Sequence, residues 1–148
     1  MPLRITAALA LLFATSSVAQ DLSTATPIAG SWSYAAAPDG SQAVFANSAG
    51  SPQLFVHCAR ASRRVSILRP ASAAAPSIGV WTSSLERSVT SSYNAATGRL
   101  TIDLANYDPL LDAMVSSRGR IAFSVGTQPA LVVPPWAEVA RVIEDCRA

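Results

Sequence analysis

From residue 31 onward, apolar and polar side chains alternate in short runs broken by turn residues, the period-2 pattern of half-buried strands. Residues 31–36 put Trp32 and Tyr34 on one side, and Pro38-Asp39-Gly40-Ser41 supplies a turn into 42–45. Residues 53–58 place Leu54, Val56 and Cys58 on one face, Phe55 and His57 on the other. Further strands are expected at 65–69, 78–82, 85–93, 99–104, 120–125 and 130–133. In 85–93, Leu85, Arg87, Val89 and Tyr93 point the same way. The cleanest alternation is 99–104, with Leu100, Ile102 and Leu104 inward and Arg99, Thr101 and Asp103 outward. Residues 60–64 connect two of these strands, and the Ala/Ser/Pro stretch 70–76 is a loop.

The period becomes helical twice. Asp108 is placed as an N-cap, Pro109 as the first helical residue, and Asp112 near the positive end. Leu110, Leu111 and Met114 form the apolar side, and Gly119 is placed to end the helix in the left-handed conformation. Arg118 would then sit near the last carbonyls. Pro134-Pro135 stops the last strand and opens a second helix, where Trp136, Val139, Ile143 and Cys146 share a face. The expected fold class is mainly β: one antiparallel β-sandwich or curled sheet of about seven to nine short strands, with two short C-terminal helices.

The start of the chain changes the picture. Arg4 gives a positive lead, 5–13 an apolar run, and Ser17-Val18-Ala19 a small-x-small cleavage site, so 1–19 reads as a signal peptide. The run falls short of the roughly 20 apolar residues a spanning helix needs, so no transmembrane anchor is expected. Residues 20–30 are small and polar and read as a flexible lead-in; 31–148 is a single β-rich domain, long enough to bury a core. The expected location is the bacterial periplasm or the exterior.

Export gives meaning to the two cysteines. Cys58 points inward from its strand and Cys146 lies on the packed side of the last helix, so a Cys58–Cys146 disulfide is expected. Closing that long loop contributes ~4–5 kcal/mol in the chain-entropy model.

All eleven basic residues are arginine. Without lysine, Walker-type phosphate loops, Schiff-base and pyridoxal chemistry, and Ser-Lys hydrolysis are excluded. Cleavage after residue 19 leaves ten arginines against nine acids, a net +1, with none of the basic excess that nucleic-acid binding requires.

Candidate chemistry is sparse. His57, the single histidine, adjoins Cys58, but strand neighbours face opposite ways and cannot share a proton. No Gly-x-Ser-x-Gly elbow occurs; Gly30-Ser-Trp-Ser-Tyr34 lacks the second glycine. One histidine and two distant cysteines, with no Asp-x-Asp loop, give no metal site, and no cofactor is expected. Asp103, Asp108 and Asp112 cluster in sequence; they read as a cap and solvated charges, against the alternative of a glycosidase-type carboxylate pair. Arg60, Arg63 and Arg64 fall in one connection, with Arg69 just beyond. Guanidinium forks suit phosphate, carboxylate or sulfate, so lipid headgroups, glycans or an acidic partner are candidate ligands. The plainer reading is charge placed on a hairpin connection for solubility.

At Asp108-Pro-Leu-Leu-Asp-Ala-Met114, Ser117-Arg-Gly-Arg120 and Trp136-Ala-Glu-Val-Ala-Arg-Val-Ile-Glu-Asp-Cys-Arg147, the chain resembles a family of uncharacterised exported proteins of α-proteobacteria. Its layout of a Trp-led first strand, a strand ending in Cys and a last helix ending in Cys is similar, more loosely, to the invasion-associated protein B family and to type VI secretion accessory proteins. That resemblance implies a small β-sandwich without a catalytic motif. The expected function is a non-enzymatic binding or accessory module of the cell envelope, with an envelope protein or anionic ligand as partner. Two alternatives stand beside it: an inhibitor of an exported enzyme, acting through loop 70–76, and a carboxylate-dependent envelope hydrolase.

Overall fold

A computed structural model describes residues 21–148; the expected signal peptide lies outside the described residues. The elements are β1 (Gly30–Ala37), β2 (Gly40–Asn47), β3 (Pro52–Ala59), β4 (Arg64–Pro70), β5 (Ser77–Trp81), β6 (Glu86–Thr90), β7 (Ser92–Asn94), β8 (Arg99–Ala105), α1 (Pro109–Val115), β9 (Ile121–Ser124), β10 (Leu131–Val133) and α2 (Ala137–Arg147). They build two antiparallel sheets, ordered β1-β2-β3-β4-β8-β7 and β10-β9-β5-β6. The fold is mainly β with two helices, one C-terminal, as the alternation predicts.

One core lies between these layers. Ala43, Phe45, Leu54, Val56, Val65, Ile67, Leu100 and Ile102 face it from the first sheet. Ile78, Val80, Ile121, Phe123 and Val133 face it from the second, with Leu110, Leu111 and Met114 of α1 and Val139, Val142 and Ile143 of α2. Burying a side chain such as Phe45 stabilises the fold by ~2 kcal/mol or more. Trp32 meets Phe45 edge-on at 5.5 Å and donates its indole N–H to the Pro134 carbonyl at 2.8 Å. Arg69, half-buried on β4, reaches the Phe123 carbonyl at 2.8 Å and so bridges the sheets.

Several expectations change in the structure. Residues 85–93 divide into β6 and β7, which belong to different sheets, because the chain crosses between layers at Ser91. Helix α1 ends at Val115 with Ser116 as its C-cap; Gly119, at φ +74°, is left-handed but closes the following turn instead. Arg118 therefore lies beyond the helix, its N–H donating to Ser83 Oγ. Trp136 is not on the buried stripe: it is the N-cap of α2 and 58% exposed, while Val142 joins Val139, Ile143 and Cys146 inside. An extended backbone at Trp136 turns its side chain away from the face that begins one residue later.

The segment read as a flexible lead-in lies on the outer face of the second sheet. Leu22 is buried against Ala122 and Val132, and the Ile28 N–H donates to Val132 O at 2.9 Å. One leucine and one backbone bond are too little to stand out in a small, polar stretch. Phe55 likewise faces out from the first sheet yet is buried, because the Arg99 guanidinium stacks 4.0 Å above its ring. A long side chain reaching across from two strands away can cover apolar surface in this way.

Candidate functional site

The β3–β4 connection carries Arg60 and Arg63, and Arg64 opens β4 itself; all three are exposed. The turn is fixed from three sides. Two residues before Arg60, Cys58 is bonded to Cys146 of α2, with the Cα atoms 5.5 Å apart. The Arg60 N–H donates to Asp39 O at 2.9 Å, tying the turn to the β1–β2 hairpin. The Arg63 carbonyl accepts from Asn106 N–H at 3.2 Å, tying it to the end of β8. Asn106 also donates from its side chain to the Cys146 carbonyl at 3.1 Å, so one residue links turn and helix.

Close packing shapes the hairpin beside it. A Cβ on Gly40 would come within 2.0 Å of the Cys58 carbonyl oxygen, so only glycine fits there. Arg63 has φ +52°, the left-handed region, where a side chain costs roughly 1–2 kcal/mol. Such a residue persists because its surroundings hold it.

Apart from Arg118, whose side chain likewise has no partner among the described residues, the described arginines outside the turn are engaged. Arg87 and Arg147 form ion pairs, with Asp108 and with Asp112 and Glu144. Arg99 and Arg141 stack on Phe55 and Tyr34, while Arg69 and Arg120 bond to backbone carbonyls. Among the described residues, Arg60 and Arg63 form no ion pair, and Arg64 donates to the Asp103 carbonyl at 3.1 Å rather than to a carboxylate. Arg69, one strand-length further on, is turned inward and is not part of the patch.

Beside the turn, Tyr34 O–H donates to Asp145 Oδ2 at 2.7 Å, and the Arg141 guanidinium lies 3.9 Å over the Tyr34 ring. The Tyr34 bond, the nearby Ser41 hydroxyl and the charges of Arg141 and Arg60 hold the Asp145 carboxyl below its ordinary value, against a smaller opposing effect of burial. Ser41 Oγ itself is buried and, among the described residues, makes no hydrogen bond of normal geometry. Arg141 and Asp145 were not singled out from the sequence, although their i, i+4 spacing on the last helix was a signal for them; their partner Tyr34, far away in sequence, offered none.

The three candidate carboxylates have separate tasks. Asp103 lies on the outer face of the first sheet and accepts from Ser66 O–H. Asp108 caps α1 through Leu110 N–H at 2.9 Å and takes Arg87 Nη2 on both oxygens at 2.8 Å. Partial burial pushes the Asp108 carboxyl up, but the Arg87 and Leu110 hydrogen bonds outweigh it and leave the group below its ordinary value. Asp112 pairs with Arg147 at 2.9 Å.

His57 is opposite Ser66 in the β3–β4 register and contacts Asp39 Oδ2 at 3.0 Å through Nε2. That bond holds the Asp39 carboxyl low. Ser66 donates to Asp103, so its proton is not directed at the imidazole, and the three types found in a serine triad are here divided between two separate pairs. Among the described residues no group of three or more His, Cys, Asp or Glu is placed to hold a metal. Loop 70–76 is stitched down at both ends by Ala71 N–H to Gly98 O, Ser91 N–H to Pro76 O and Ser91 O–H to Ala75 O, leaving 72–74 exposed. No helix among the described residues is long and apolar enough to cross a membrane.

No family model, curated protein or solved structure matches this chain.

Proposed function

We propose that the protein is an exported, non-enzymatic binding module of the cell envelope, and that it engages an anionic group through Arg60, Arg63 and Arg64. The observation that carries this reading is a turn braced on three sides that presents guanidinium groups lacking carboxylate partners. A turn whose backbone is already fixed loses less entropy when its arginines clamp a phosphate, sulfate or carboxylate. A buried disulfide suits an oxidising compartment, and with the leader it supports the periplasm as the location. The resemblance to exported α-proteobacterial proteins agrees with that placement and is part of the proposal.

Affinity capture from an envelope extract tests it, with the oxidised mature protein beside an Arg60→Ala/Arg63→Ala/Arg64→Ala variant. A partner held by the wild type and lost by the variant supports the reading. A partner held equally by both places binding elsewhere and overturns it.

A further inference from the structure

We infer that the free edge of β1 is a self-association surface, pairing antiparallel with β1 of a second copy of this chain. A sheet edge offers unpaired N–H and C=O groups, and proteins usually blunt it with short strands, charges, prolines, bulges or a covering segment. Among the described residues, three of the four sheet edges are blunted. β7 is three residues long, β10 is three residues long and also bonded to Ile28, and β6 carries Glu86 and Arg87. β1 has none of these devices. It runs for eight residues, Gly-Ser-Trp-Ser-Tyr-Ala-Ala-Ala, without charge or proline, and its register against β2 is unbroken from Gly30–Asn47 to Ala37–Gly40. Among the described residues its backbone bonds only to β2, so the groups on its other side are open.

The occupant follows from the strand's own chemistry. Two-fold pairing sets a strand against itself, and like charges opposite one another would oppose it. β1 has no charge to repel its copy, and its outward side chains Ser31, Ser33 and Ala35 are small and exposed. Next to it, Trp136 stands exposed two residues beyond the Pro134 carbonyl that holds Trp32, supplying apolar area. The flank carries both signs, Arg141 over Tyr34 and Asp145 at its hydroxyl, so two copies are not held apart by a single-sign field. Pairing consumes the one open edge among the described residues and leaves β7 at each end, which stops growth at a dimer.

The test is mass by light scattering and sedimentation over a wide concentration range, for wild type and a Ser33→Lys/Ala35→Lys variant. Both side chains point to solvent, so the fold tolerates the change. A doubling of mass in the wild type that is lost in the folded variant is the expected result. A wild type monomeric at every concentration, or a dimer that the variant keeps, overturns the proposal. Amide hydrogen exchange on unmodified protein gives an independent reading: β1 amides become more protected as concentration rises, and unchanged β1 protection contradicts the pairing.

Discussion

Cys146, near the end of α2, is joined to Cys58 in β3, two residues before the turn that carries Arg60 and Arg63. The bond clamps the last helix to the first sheet and stiffens the approach to the turn from one side. Reducing it, or replacing both cysteines by alanine, is predicted to cost ~4–5 kcal/mol through loop-closure entropy, less any relaxation of the native state. Small domains hold only ~5–15 kcal/mol in total. Urea unfolding with and without reductant measures the loss; equal midpoints would mean the bond contributes nothing.

Arg63 occupies a backbone region that favours glycine. Arg63→Gly is predicted to raise stability by ~1 kcal/mol through relief of that conformation, while weakening binding to anions. The pairing of a stability gain with a binding loss distinguishes a functional residue from a solubilising one. Thermal unfolding and a binding titration on the same sample check both halves.

Asp108 joins the N-cap of α1 to Arg87 of β6. Asp108→Ala is predicted to destabilise by ~1–2 kcal/mol, ~1 from the cap and up to ~1 from a partly exposed ion pair. The carboxyl titrates below its ordinary value in the folded chain. Its contribution is therefore complete above the unfolded value of ~4 and is lost as pH falls through the folded value. Stability measured from neutral pH down through that region should fall less steeply in Asp108→Ala than in the wild type.

Leu22 holds the segment before β1 against Ala122 and Val132. Leu22→Ala is predicted to cost ~2 kcal/mol, at the low end for leucine because the site is at the surface of the second sheet. Limited proteolysis should cut the variant between residues 22 and 29 faster than the wild type. Equal cutting would show that the leucine does not anchor the segment.

Local periodicity made most of the sheet and both helices legible. Leu100, Ile102 and Leu104 alternate so regularly that their strand could be placed without a neighbour, and Asp108-Pro109 announces its helix by capping chemistry alone. What failed was whatever another part of the chain decides. Trp136 fits the stripe by spacing, but the helix begins one residue later. Residues 85–93 alternate without interruption, and no local signal tells where a strand leaves one sheet for another. At the candidate site the arginines were visible as a cluster. Their bracing by Asp39 and Asn106, and the Tyr34–Asp145–Arg141 group beside them, depend on contacts across distant strands.

The most direct test of the arginine turn is a titration of isotope-labelled, oxidised mature protein with inorganic phosphate, followed by amide chemical shifts. Saturable shifts centred on residues 60–64, absent from the Arg60→Ala/Arg63→Ala/Arg64→Ala variant, are the predicted result. Shifts that miss those residues, or that persist in the variant, would contradict the assignment of the turn as an anion-binding surface.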